Sequence, residues 1–200
     1  MKKLIIGAAL TLVSLSIPAL AATTDRYKVK GENASAYFYQ SDDCNSTFIS
    51  ISAYNDVTKD APGAPTSQKQ AYAYYSNYNY CTGGGSFAYG SVTNPNFSMN
   101  NSLRSATLNS TITVYDSNSG TSKNLDVALT WTGTGDTYRG HNSSHYQGPG
   151  YTSNYRYVGS YRDAEVSGSV TLDGTNIITN LSNDATLGSY SNGSVTITRK

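Results

Sequence analysis

The residues best suited to metal chemistry are two histidines, His141 and His145, which are four positions apart with Asp136 nearby. On a helix this spacing directs both imidazoles at one metal ion, as in many zinc sites. The flanking glycines and Pro149 favour a loop instead, and no Glu lies between the histidines to act as a base. We therefore expect loop histidines with ordinary hydrogen bonds, and a zinc or copper site built by the loop is the alternative.

Carboxylates are the second place to look for chemistry, since glycoside hydrolysis needs a pair of them. Glu32 and Glu165 are the only glutamates in the sequence, and Glu165 alternates with Ala164 and Val166 in a way that directs it to solvent. The adjacent acids Asp42 and Asp43 precede a cysteine and fit a turn better than a cation site. No G-x-S-x-G nucleophile motif occurs. We assign no catalytic residue and no cofactor, and a secreted hydrolase is the least favoured function.

Six tyrosines are interleaved with three arginines in the segment 137–162, where Val158 is the only Val, Leu or Ile. Aromatic rings and planar guanidinium groups suit sugar rings, acidic groups and protein surfaces. We expect a long loop and edge-strand excursion that carries the main interaction surface; the alternative is that the tyrosines fill the interior and rim of the fold. The predicted binding residues are Tyr138, Arg139, His141, His145, Tyr155, Arg156, Tyr157 and Arg162.

The overall charge is close to zero, with 14 Lys and Arg against 13 Asp and Glu in 200 residues. A nucleic-acid-binding protein normally shows a basic excess or stripe, so this balance argues against one. Tyrosine is abundant, with 18 residues. The scarcity of Leu, Glu and Lys argues against helical bundles.

The first 21 residues have the pattern of a secretory signal peptide: a basic start, an apolar stretch and a small-residue cleavage site. We expect one domain over residues 22–200, secreted or periplasmic, with no transmembrane segment because no second apolar stretch occurs. An oxidising compartment favours a disulfide between Cys44 and Cys81, the only two cysteines.

Apolar residues alternate with polar ones along most of the chain after residue 22, which is typical of strands with one buried face. The clearest case places Leu125, Val127, Leu129 and Trp131 on one side of a single strand. Turn residues such as Asp173-Gly174 separate these segments. We predict an all-β fold, an antiparallel two-sheet β-sandwich rather than a sheet closed on itself.

A resemblance is carried by the segment Leu129-Thr130-Trp131-Thr132-Gly133-Thr134-Gly135 and by later motifs such as Tyr161-Arg162-Asp163-Ala164. Together they resemble a group of uncharacterised bacterial secreted all-β proteins of about 200 residues, from the first cysteine to near the C-terminus. That group has no established function, so the resemblance implies export and a disulfide-bonded domain and adds no site residue.

Three classes of function remain, of which the secreted hydrolase is the least favoured. Recognition surfaces are visible and catalytic sets are not, which favours an exported noncatalytic protein that binds a glycan or a protein surface. The alternative is a structural or assembly subunit of an envelope or extracellular matrix, since exposed tyrosine-rich edge strands pair readily between chains. Neither the ligand nor the oligomeric state follows from the sequence.

Overall fold

A computed structural model describes residues 22–61 and 63–198 of the chain. The predicted signal peptide, residues 1–21, lies outside the described residues. Among those residues the chain is all-β, and no helix is long and apolar enough to cross a membrane. The strands in chain order are β1 (Thr23–Ser41), β2 (Asn45–Ala61), β3 (Thr66–Asn79), β4 (Gly84–Thr93), β5 (Asn96–Met99), β6 (Ser105–Asp116), β7 (Thr121–Gly133), β8 (Tyr138–Gly148), β9 (Tyr151–Leu172), β10 (Thr175–Asn176) and β11 (Ser182–Thr198).

The strand pairings are antiparallel and return on themselves. Starting from β9, they run through β11, β1, β2, β3, β4, β6 and β7, and β7 pairs with β9 again. The antiparallel all-β prediction is thus confirmed. The pairings place these strands in one sheet and do not divide them into two, so the two-sheet sandwich is not confirmed.

The core occupies the inside of this ring of strands. Leu125, Val127, Leu129 and Trp131 on β7 are all buried, as their alternation predicts. Burying a side chain of this size contributes about 2 kcal/mol each. On the opposite side of the ring, β1 presents alanines, and this leaves space for the indole to cross the interior. The Trp131 Nε1–H donates to the backbone carbonyl oxygen of Ser35 on β1, at 3.0 Å.

A disulfide closes one end of the hairpin formed by β2 and β3. Cys44 precedes β2 and Cys81 follows β3, with their Cα atoms 5.1 Å apart, which confirms the predicted bond. The preceding acid, Asp42, accepts backbone hydrogen bonds from the N–H groups of Cys44 and Asn45 at 2.8 and 2.6 Å. These bonds hold the pKa of Asp42 below its ordinary value, as expected of a turn residue.

Five strands continue past the core and form a sheet that we call the extension. It comprises residues 23–33 of β1, 54–60 of β2, all of β8, 151–161 of β9 and 188–198 of β11. The buried residues in these segments are Val29, Gly31 and Gly188. Solvent therefore reaches most of both faces of the extension.

The segment that contains His141 and His145 is a strand of the extension and not a loop, so the loop prediction was wrong. Both histidines lie in β8, which pairs with β9 along its whole length. Every residue of β8 up to Gln147 is exposed. Because neither face of β8 is buried, its sequence lacks the apolar alternation that reveals a strand such as β7.

Candidate functional site

The alternation of side chains separates the extension into two chemically different faces. In an antiparallel sheet, residues directly opposite each other point to the same side, and neighbours along a strand point to opposite sides. One face consists of the residues in the row that crosses the strands at Tyr138, together with every second residue along each strand from that row. It carries tyrosines at positions 27, 54, 138, 146, 151, 155, 157, 161 and 190. We call it the tyrosine face and the reverse side the basic face.

A trough of about 460 Å³ lies on the tyrosine face where the extension leaves the core. Its floor is formed by glycines on three neighbouring strands: Gly140 of β8, Gly159 of β9 and Gly188 of β11. The ring of Tyr157 lies over Gly159 and the side-chain amide of Asn33 lies over Gly188, whereas a Cβ atom at Gly140 would meet nothing within 4 Å, so the open part of the floor is at Gly140. Four tyrosines line the trough, at positions 138, 157, 161 and 190.

The rings of Tyr138 and Tyr161 stack across β8 and β9 at one end of the trough. Their centroids are 4.9 Å apart and their planes differ by 15°. Each ring is half exposed, at 51% and 52%. Stacking fixes both rings and leaves flat aromatic surface in contact with solvent, which is the arrangement that a planar apolar ligand surface can bind.

Tyr190 forms the opposite wall and is held by a specific contact. Its ring lies directly over Gly31 of the adjacent strand, where any Cβ atom would collide with it. Its hydroxyl donates to Asp56 Oδ1 at 2.7 Å. Burial, followed by this hydrogen bond, raises the pKa of the phenol well above its ordinary value. The hydroxyl is therefore a neutral donor throughout the physiological range.

The predicted binding residues divide between the two faces. Tyr138, Tyr155 and Tyr157 belong to the tyrosine face, and Arg139, His141, His145 and Arg156 belong to the basic face. Arg162 has a different position: its Nε–H donates to the carbonyl oxygens of Thr134 and Gly135, at 3.2 and 3.1 Å. It anchors the connection between β7 and β8. The predicted set is thus brought into one sheet but not onto one surface.

The two histidines are too far apart to share a metal ion within one chain. Four residues along a strand span about 13 Å, whereas zinc–nitrogen bonds are about 2 Å. His145 Nδ1 instead lies 2.6 Å from Asn154 Oδ1 on β9. No cluster of three or more His, Cys, Asp or Glu side chains suitable for a metal occurs among residues 22–61 and 63–198.

The alternative interpretation placed the tyrosines in the interior and at the rim of the fold, and most of them do not lie in the interior. Tyr75 is the one tyrosine packed against the core in the described chain. Tyr72, Tyr74 and Tyr89 line a second groove, of about 400 Å³, on the outside of β3 and β4. The tyrosine face is therefore continuous with the outer surface of the ring of strands.

Three basic residues of β1 were not among the predicted binding residues: Arg26, Lys28 and Lys30. They alternate with Asp25, Tyr27 and Val29 on β1, so all three basic side chains point to the basic face. The basic residue at every second position of β1 indicates a strand with one basic face, and this pattern is visible in the sequence. The overall charge concealed it, because acids on one side of a strand cancel bases on the other.

Comparison with known proteins adds little. No family model matches the chain, and no curated protein is significantly similar to it. A crystal structure of a protein from Nitrosomonas europaea, provisionally designated AttH, is similar with a TM-score of 0.29 and 10% sequence identity. The match covers 86% of this chain, which spans about half (52%) of that structure. A similarity of this size carries no argument about fold or function.

Proposed function

We propose that this protein is an exported, noncatalytic binding protein that recognises a glycan in the trough on its tyrosine face. The trough that is open above Gly140 and walled by tyrosine rings is the observation that carries the proposal. Its volume falls within the roughly 300–1,000 Å³ of typical small-ligand sites. Export follows from the predicted signal peptide, and the resemblance to secreted all-β proteins agrees with it.

The chemistry of the trough suits a sugar better than a charged small molecule. Sugar rings present C–H groups on their faces and hydroxyls at their edges, and tyrosine offers a flat ring with a polar end. The stacked pair Tyr138–Tyr161 supplies the ring surface, and the hydroxyl of Tyr157 and the side chain of Asn33 supply hydrogen-bonding groups. These groups can bind and orient a sugar, and none of them is a carboxylic acid that could protonate a glycosidic oxygen.

Removing one wall of the trough tests the proposal. A panel of neutral oligosaccharides identifies a ligand for the unmodified protein, and calorimetric titration gives its Kd. We expect Tyr161→Ala to weaken binding by about five- to tenfold, as for the loss of an aromatic contact worth ~1 kcal/mol. Tyr27→Ala is the matched control, because this exposed tyrosine shares the face but does not line the trough. Equal losses in both variants, or no oligosaccharide bound at all, would refute the proposal.

Assembly is the second candidate function, and the free edge of the extension favours it. In the described chain β8 pairs with β9 on one side only, so the backbone groups of its other side are available to another strand. Antiparallel pairing of two β8 strands about Ser143 would place Tyr146 of one copy opposite Gly140 of the other. Sedimentation velocity over a wide concentration range tests this: assembly requires a larger species that either Asn142→Pro or Ser143→Pro abolishes, because the N–H groups of neighbouring residues alternate between the paired and the free side of an edge strand.

A further inference from the structure

The basic face has a strong charge that the composition of the chain does not show. Within the extension, its Lys and Arg residues are Arg26, Lys28, Lys30, Lys59, Arg139 and Arg156. Glu32 is its only acid, and the Glu32 carboxylate accepts a hydrogen bond from the Asn55 side chain. The tyrosine face of the extension contains three acids, at positions 25, 56 and 60, and no Lys or Arg.

The register brings these cations close together. Lys28 lies opposite Lys59 on one side and Gly193 on the other, and Gly193 lies opposite Arg156. Arg156, Lys28 and Lys59 therefore lie in one row across four strands, about 14 Å from end to end. Arg26 and Lys30 flank this row on β1, each about 7 Å from Lys28 along the strand.

Within the described residues, none of these six cations forms an ion pair with an acid. The ion pairs in the described part of the chain both involve Lys123, which lies on β7 outside the extension. All six basic residues of the face are exposed. Like charges at this spacing repel one another, so a bound polyanion would relieve a cost that the free protein carries.

The face is recessed rather than flat. A groove of about 440 Å³ at its base is lined by Lys30, Glu32, Val57 and Val158 and is bounded by Met99 at the end of β5. A smaller depression, of about 220 Å³, adjoins it between Lys28 and Arg156. Serine hydroxyls at positions 160, 189 and 191 line these recesses together with the charged groups.

We propose that the basic face binds an acidic polysaccharide, at a site separate from the trough and on the opposite side of the same sheet. Arginine and lysine pair with carboxylate or sulfate groups, and the serines and Asn154 bond to sugar hydroxyls. The face has no Tyr, Phe or Trp side chain within the extension, and the imidazoles of His141 and His145 are its only aromatic rings, which disfavours single-stranded nucleic acid. This inference goes beyond the proposed function, since either site can exist without the other.

Binding to a polygalacturonate oligomer of defined length tests this inference on the intact exported protein. We expect binding that weakens as salt rises, because cation–anion contacts release counterions. The double variant Lys28→Gln/Arg156→Gln should raise the Kd at least about tenfold. The control Arg104→Gln/Lys123→Gln has the same net charge but alters cations outside the extension, and it should change the Kd less than about twofold.

Other outcomes would overturn the inference. Equal weakening by both double variants would mean that binding follows net charge and not this face. Tighter binding of duplex DNA, or of vesicles of phosphatidylglycerol, would assign the face to another class of polyanion. A Lys28→Arg/Arg156→Lys variant keeps the charge, so its failure to bind despite an intact far-ultraviolet spectrum would also count against the proposal. Tyr161→Ala should leave this binding unchanged, which separates it from the trough.

Discussion

The Tyr190 hydroxyl donates a hydrogen bond to Asp56 across the full width of β1, with 2.7 Å between the two oxygens. The phenol ring crosses above Gly31, so β11, β1 and β2 are tied together on the tyrosine face. The extension has little buried apolar surface to stabilise it. Contacts of this kind therefore account for more of its stability than they would in the core.

Replacing Tyr190 by Phe keeps the ring over Gly31 and removes the hydrogen bond. We expect the free energy of unfolding to fall by about 1 kcal/mol, the usual net contribution of such a bond. Urea denaturation measures it. Tyr27→Phe is the control, because Tyr27 is 43% exposed on the same face, and it should change stability by less than about 0.5 kcal/mol. Hydrogen exchange of the β1 and β11 amides should also speed up in the Tyr190 variant, and unchanged exchange would contradict this account.

Alkaline pH should destabilise the protein through Tyr54, in addition to the contribution of Tyr190, whose pKa is also raised. Its hydroxyl donates to Gln70 Oε1 at 2.8 Å and lies 3.0 Å from the Tyr72 hydroxyl. The contact with Tyr72, followed by burial, raises the pKa of Tyr54 to about 12. Below pH ~10 the phenol is neutral in both the folded and unfolded chains, so its stabilisation is complete. Between pH ~10 and that folded-state value the unfolded chain ionises first, and the free energy of unfolding falls.

Thermal unfolding at pH 8, 9, 10 and 11 tests this pH dependence. The Tm should decline above pH ~10, and Tyr54→Phe should start lower at pH 8 but decline less steeply. Tyr39→Phe serves as the control for the exposed tyrosines, at 43% exposure. If the Tm of the unmodified protein and of both variants fell equally steeply with pH, Tyr54 would not account for the pH dependence of stability.

The parts of the fold that could be predicted are those in which one face of a strand is buried. β7 was recognised because Leu125 and Trp131 bound an unbroken alternation with one buried side. β8 was expected only as part of a loop and edge-strand excursion over residues 137–162, because both of its faces meet solvent and no period in hydrophobicity arises. The closure of the ring depends on nine pairs between β7 and β9, whose register no local pattern specifies. The predicted site is divided between two faces because its residues lie on strands, where neighbouring side chains point to opposite sides. His141 and Arg156 therefore lie on the face opposite Tyr155 and Tyr157.

The indole of Trp131 should report the integrity of the core. It is the only Trp, it is fully buried, and its N–H bonds to the Ser35 carbonyl. We expect blue-shifted emission that iodide quenches poorly, with a red shift on unfolding. Trp131→Phe should cost about 1–3 kcal/mol, from lost packing volume and from the unpaired carbonyl. Red-shifted native emission would place the indole in solvent and contradict this position.

Gly168 permits β7 and β9 to pair, and replacing it should disrupt the ring of strands. Its φ is +126°, a conformation that other residues rarely adopt, and a Cβ atom there would lie 2.0 Å from the carbonyl oxygen of Ala128. That oxygen belongs to the paired strand and cannot move without breaking the pairing. We expect Gly168→Ala to lower the free energy of unfolding by at least about 3 kcal/mol, measured by urea denaturation.

Gly140→Ala is the matched control for Gly168→Ala. A Cβ atom at Gly140 would meet nothing within 4 Å, because this glycine lies on the exposed edge strand β8. The free energy of unfolding of Gly140→Ala should therefore stay within about 0.5 kcal/mol of that of the unmodified protein, or rise slightly because alanine restricts the unfolded chain. The added methyl group occupies the floor of the trough, so glycan binding should weaken while the fold is preserved. Similar stability losses in both variants would mean that Gly168 is not specifically required, and the close approach of β7 to β9 would need another explanation.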